Sequence, residues 1–377
     1  MSAFVSADAV HIEDFDRVCA QQARVEDYPL AAEVLSNVPI YQAQILRNSD
    51  RRTVMNELHR LFREGPGVMV VRRAYEDLEV VDRHSQVFEA IFAHEAMQAV
   101  AADHFAKAGS NGRIWNSLQK AALQSPASFV EYYANPLLGL IAEAWLGPGY
   151  QVTAQVNVVH PGGQAQQPHR DYHLGFQTDE VVERFPLPLH QLSQYLTLQG
   201  AVAHSDMPLE SGPTQLLPFS QQYPLGYLAW RRAEFIDYFQ RHAVQLPLGK
   251  GDLLFFNPAL FHAAGTNRTA DCQRMANLLQ ISSALGKPME ALDRDRMMLA
   301  VYPALLGNPA LDAQAVEAVV ACTADGYSFP TNLDTDPPLK GLAPQTGQEL
   351  MLQALKERWV YADFAEAVAH LRAKRQA

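Results

Sequence analysis

Between residues 149 and 285, apolar and β-branched positions come in short runs broken by Gly, Pro and Asn, a pattern of strands and turns rather than helices. The clearest runs are QVTAQVNVVH (151–160), SQYLTLQGAVAH (193–204), DLLFFN (252–257) and RMANLLQISS (274–283). HPGGQAQQP, LESGP, LGKGD and GTNRTAD punctuate them as turns. Strands this short bury their apolar faces only between two facing sheets or in a closed barrel. On either side the period changes. Residues 1–148 read mainly helical: Asp50 is an N-cap for RRTVMNELHRLFREG, 68–71 is one short strand, and apolar residues recur at three- and four-residue steps over 78–92 and 129–145, until Gly147-Pro148-Gly149 stops them. Helical signals return over 286–377, where Thr346 and Glu349 have capping-box spacing ahead of LMLQALKERWV, and an amphipathic, basic-ended helix closes the chain. The expectation is one elaborated domain over 1–377, a mostly β core at 149–285 with surrounding helices (α+β). The terminal helices read as packing or dimerisation elements, which leaves a homo-oligomer open.

Composition narrows the function classes. With 48% hydrophobic and 19% charged residues the chain has enough apolar side chains for a substantial core, and wholesale disorder is excluded. Its 30 Lys+Arg against 41 Asp+Glu give a formal charge of -11, which disfavours nucleic acid and anionic membrane as partners and leaves a small-molecule substrate as the expected one. Cys19, Cys272 and Cys322 are too widely spaced for a disulfide framework or a zinc ribbon and fit a reducing, cytoplasmic setting. The acidic start MSAFVSADAVHIEDFD does not read as a secretory signal, and no run reaches the length of a membrane helix.

Candidate chemistry is concentrated in Pro168-His169-Arg170-Asp171-Tyr172-His173, just after a Pro161-Gly162-Gly163 turn. In extended chain His169 and Asp171 point to one face, because side-chain direction repeats every two residues. His262, in FFNPALFHAAG beyond the apolar run 252–256, is the third donor. Two imidazoles and one carboxylate on one face of a metal leave three positions open, the arrangement of non-haem Fe(II) oxygenases. A dicarboxylate co-substrate also needs a planar fork of N–H donors, for which Arg274 and Arg268 are candidates. His173 forms a His-x-x-x-His pair with His169 that would suit zinc on a helix, but Pro168 favours extended chain there, and a contact to substrate or to a ligand remains open for it. Gln155 and Asn157 share one face of their strand, pointing either inward or to solvent.

In order and spacing, WLGPGYQVTAQVNVVHPGGQAQQPHRDYH, LESGPTQLLPFSQ and GDLLFFNPALFHAAGTNRTADCQRMANLLQIS resemble the phytanoyl-CoA dioxygenase family over roughly residues 140–285. The resemblance implies a double-stranded β-helix, a jelly-roll or cupin-like barrel. It also implies Fe(II), 2-oxoglutarate and O2, with His169, Asp171 and His262 as iron ligands, Arg274 as the co-substrate arginine, and Asn157, with Gln155 beside it, near the co-substrate. The activity it implies is oxidative decarboxylation of 2-oxoglutarate to succinate and CO2 coupled to hydroxylation of a substrate C–H bond. Two departures stand out: Pro218-Phe219-Ser220-Gln221 where many relatives have P-G-S-H, and the long helical C-terminus. The alternatives are a non-catalytic metal-binding cupin-type protein and a zinc hydrolase, neither of which needs Arg274.

Overall fold

The computed structural model describes residues 3–97, 111–339 and 341–376. Ten strands are present among them: β1 (Glu33–Leu35), β2 (Val38–Gln42), β3 (Val68–Arg72), β4 (Asn111–Ile114), β5 (Gln151–Val159), β6 (Thr197–Ala203), β7 (Gln215–Leu216), β8 (Leu253–Phe256), β9 (His262–Ala263) and β10 (Arg274–Ser282). Eight form a sheet in the order β1-β2-β3-β8-β6-β10-β5-β4, and β7 pairs with β9 in a second sheet. The described residues divide into two compact units, 3–78, 111–113 and 156–279 in the first, and 79–97, 114–155, 280–339 and 341–376 in the second.

In the first unit, β2 and β3 are parallel neighbours, and the helix Arg51–Arg63 crosses between them as a parallel pair requires. Asp50 caps that helix by accepting from the Thr53 backbone N–H at 2.9 Å. β8 then runs antiparallel between β3 and β6. The smaller sheet is widened by bridges from Leu216 to Val244 and from His262 to His169, so four extended segments lie side by side. Between the two sheets one apolar cluster takes Ile40, Val70, Ala201, Leu254 and Phe256 from the large sheet and Leu216 from the small one. That is the two-walled packing of a jelly-roll, with the apolar alternation of each strand turned inward.

The second unit is mainly helical. His84 stacks on Tyr132 with ring centroids 4.1 Å apart, Tyr302 stacks on Phe364 at 4.0 Å, and the buried Arg294 donates to the carbonyls of Val152 and Cys322 at 2.7 and 2.8 Å. The Thr346–Glu349 capping box is formed in both directions at the start of Gly347–Glu357.

Three expectations change. The run 193–204 is not all strand: Leu187–Tyr195 is helical, begun by Pro186 and Pro188, and the strand starts only at Thr197. The helix expected over 129–145 is two helices, Pro126–Tyr133 and Pro136–Leu146, because Pro136 cannot donate to the preceding turn and Asn135 caps a new start by accepting from the Leu137 N–H. The N-terminal region also carries β1, β2 and β4 besides the one strand read there; each has five residues or fewer, too short to establish a period of its own.

Candidate metal centre

The Pro161-Gly162-Gly163 turn forms as read, with Gly162 at φ +81 and the Gly163 N–H donating to His160 O at 2.9 Å. The chain then returns alongside β9. The His169 N–H donates to His262 O at 3.0 Å and the His262 N–H to His169 O at 3.2 Å, so a reciprocal backbone pair sets the two histidines opposite each other. The Asp171 N–H donates to Pro258 O at 3.2 Å and fixes the backbone at the second candidate position of that segment. Pairing partners far apart in sequence thus do what the local x-H-x-D spacing cannot do alone.

His169, Asp171 and His262 each offer one ligand atom, and these atoms lie within 4.8 Å of one another. His169 Nε2 is 3.6 Å from Asp171 Oδ1, and His262 Nε2 is 3.4 Å from Asp171 Oδ2. Donors about 2.0–2.2 Å from a shared ion and at right angles to each other would stand roughly 3 Å apart, so the cluster has the scale of a metal site. Each Nδ1 lies 2.9 Å from a backbone carbonyl, Gln167 O for His169 and Leu260 O for His262. A carbonyl only accepts, so Nδ1 carries the proton and Nε2 presents its lone pair to the centre of the cluster. Burial lowers the pKa of His169 against the opposing pull of Asp171, which favours the neutral imidazole, the form able to bind a metal. Burial alone would raise the pKa of Asp171, but the His169 and His262 imidazoles and the Gln199 amide that face it override burial and hold the carboxyl well below the usual range. The His169 side chain keeps 23% of its surface exposed and that of His262 only 6%, so the cluster opens to solvent on the His169 side.

Arg274 begins β10 and is 6% exposed. Its Nη1 is buried with no acceptor, and burial pushes the guanidinium down to about 10 against the Cys272 thiol. Ala276 and Leu278, two and four residues on, pack against the core between the sheets, the same-face pattern expected from period two. The loop before it is pinned by the buried Asn267, whose Nδ2 donates to Val159 O at 3.1 Å and Cys272 O at 2.8 Å. Arg268, in that loop, is exposed.

Asn157 is buried and its Oδ1 meets no donor, so it is not a solvated side chain. Gln155 is buried in the second unit, where its amide reaches Met289 Sδ at 3.6 Å and hydrogen-bonds Glu290. His173 stands apart from the cluster: its Nδ1 is 3.0 Å from Ser193 Oγ, and it opens a short 3-10 turn rather than sharing a helix with His169.

Two neighbours flank the cluster: Arg170, whose residue type reads from sequence as structural more often than substrate-binding, and Gln199, which sequence reasoning did not single out. Arg170 points away from the cluster, donates to Ser220 O at 2.7 Å and Tyr223 O at 3.1 Å, and lies over the rings of Tyr227 and Phe261. Gln199 on β6 donates through Nε2 to Asp171 Oδ2. The sequence offers only an amide within the run LTLQGAVA, which does not say what that amide meets.

Solved structures similar to this one include SnoN, a non-heme alpha ketoglutarate dependent epimerase from nogalamycin biosynthesis, at 18% identity over 62% of this chain and 84% of that one, with a TM-score of 0.42. SnoK, a carbocyclase from the same biosynthesis, is 19% identical over 63% and 87% at 0.44, and AviO1 from Streptomyces viridochromogenes Tue57 is 14% identical over 63% and 97% at 0.43. Likeness this distant does not bear on what the present chain acts on. Comparison with curated protein sequences gives no match. The family model described as Phytanoyl-CoA dioxygenase matches residues 35–276, more than half of the chain and inclusive of His169, Asp171, His262 and Arg274. The chain belongs to the phytanoyl-CoA dioxygenase family.

Proposed function

We propose that this protein is an Fe(II)- and 2-oxoglutarate-dependent dioxygenase that hydroxylates a C–H bond of a small molecule. The observation that carries the reading is the His169–Asp171–His262 cluster with both Nε2 lone pairs turned inward. His169, Asp171 and His262 would hold the iron, leaving three positions of an octahedral ion for co-substrate and O2. Arg274 would take the distal carboxylate of 2-oxoglutarate; support comes from its buried guanidinium, which has an Nη1 without an acceptor. A buried cation in want of an anion suits a dicarboxylate and has no use in a zinc hydrolase. Asn157, with a buried Oδ1 that meets no donor, is proposed as a further contact to the co-substrate, whereas Gln155 is engaged with Met289 and Glu290 and is not.

With iron, 2-oxoglutarate and O2 bound, the site would supply an oxidation in which one oxygen atom enters succinate and the other the substrate. The chain's own part is to fix the donors, neutralise the co-substrate's far end and keep water from the reacting C–H bond. A carboxylate in the donor set speaks for hydroxylation over halogenation, since Asp171 fills the position a halide would take. The test is turnover of the iron-loaded protein with candidate substrates under labelled O2. Succinate release with the label in a hydroxylated product is expected; a chlorinated product, or no consumption of 2-oxoglutarate with any substrate, would overturn the reading.

A further inference from the structure

Gln199 sits on β6 opposite Phe256 of β8, and 4% of it is exposed. Its Nε2 donates to Asp171 Oδ2, while its Oε1 is buried and meets no donor. The amide has only this orientation open to it, because turning it over would set Oε1 against a carboxylate oxygen, acceptor against acceptor. Stability gives no reason for a glutamine there: a buried amide with one end unsatisfied is worse than an apolar side chain of the same size. The contact with Asp171 does give one.

A carboxylate binds a metal through one oxygen or through both. The difference matters at a three-residue site. Held through one oxygen, Asp171 with the two histidines leaves three of six positions, enough for a 2-oxo acid chelating through two atoms and for O2. Held through both, it leaves two. Asp171 Oδ2 already carries the Gln199 N–H, whereas Oδ1 accepts no such amide donor. We propose that Gln199 is a positioning residue that reserves Asp171 Oδ2 and so holds Asp171 as a one-oxygen ligand, keeping the third metal position free. This inference rests on the Fe(II)/2-oxoglutarate reading above and names a residue that acts only through Asp171.

The experiment compares wild type with Gln199→Leu and Gln199→Met, both of similar size and without a donor. Each is titrated anaerobically with Fe(II), then at saturating metal with 2-oxoglutarate, following the visible charge-transfer absorption that a chelated 2-oxo acid gives with Fe(II). The expected result is metal-free variants that melt no lower than wild type, still saturate with Fe(II), and develop a weaker charge-transfer band at saturating metal. A wild-type band in both variants would overturn the inference and leave the functional reading intact. Metal-free variants that melt well below wild type would also overturn it, since the glutamine would then serve folding. Failure of the wild type itself to bind Fe(II) and develop the band removes the reading and this inference together.

Discussion

Each proposed ligand is held by the backbone of a segment distant in sequence, so removing its side chain leaves the scaffold and removes only a donor. His169→Ala, Asp171→Ala and His262→Ala are expected to keep the wild-type circular dichroism while losing stoichiometric Fe(II) binding and turnover; retained metal and activity in any of them would displace the site. The arginines separate more finely. A bidentate guanidinium–carboxylate contact away from water is strong, and its loss also strands the carboxylate, so Arg274→Ala should raise the 2-oxoglutarate requirement by about 100-fold or more. Arg274→Lys should recover little of this, because an ammonium does not reproduce the planar fork. Arg268 is exposed, and Arg268→Ala should change the requirement less than about threefold. Titrating the co-substrate against the three variants checks all of these; a larger effect at Arg268 than at Arg274 would mean the wrong arginine is named.

Single elements carry their own tests. The helix Gly347–Glu357 begins with a reciprocal Thr346–Glu349 box, and Thr346→Ala should cost about 1 kcal/mol of unfolding free energy, read by denaturant titration, with no change in Fe(II) affinity. At Gly226 the limit is steric: a Cβ there would meet Arg170 Cζ at 1.9 Å, and Arg170 lies between two proposed ligands. Gly226→Ala should therefore destabilise by about 1–3 kcal/mol and, unlike Thr346→Ala, should weaken Fe(II) binding as well, because the displaced Arg170 drags the His169–Asp171 backbone. Equal metal affinity in the two variants would uncouple the Arg170 anchor from the site.

For the whole molecule, ligand that binds only folded protein stabilises it by mass action. Fe(II) with 2-oxoglutarate at about a hundred times the dissociation constant should add about 2.7 kcal/mol to unfolding. The increase should vanish in His262→Ala, and a melting temperature indifferent to both ligands in wild type would contradict the proposed site. Among the described residues no helix is long and apolar enough to cross a membrane, in keeping with the short apolar runs of the sequence.

What the sequence determined by itself is mostly periodic or punctuated. The strands 151–160, 252–257 and 274–283, the Asp50 cap and the Thr346 box are written in neighbouring residues, and each forms within a residue or two of its expected bounds. His169, Asp171, His262 and Arg274 could be named because their order and spacing follow a family pattern. Tertiary structure decided the rest. β1, β2 and β4 are too short to bury a face alone and exist as strands only beside their partners in the sheet. The convergence of the three donors depends on a backbone pair between His169 and His262, residues whose spacing in the chain says nothing of their meeting. Arg170 and Gln199 have no local signature of their role, since an arginine between two proposed ligands and an amide in a strand acquire one only from what folding sets against them: two loop carbonyls for the first, the second oxygen of Asp171 for the other.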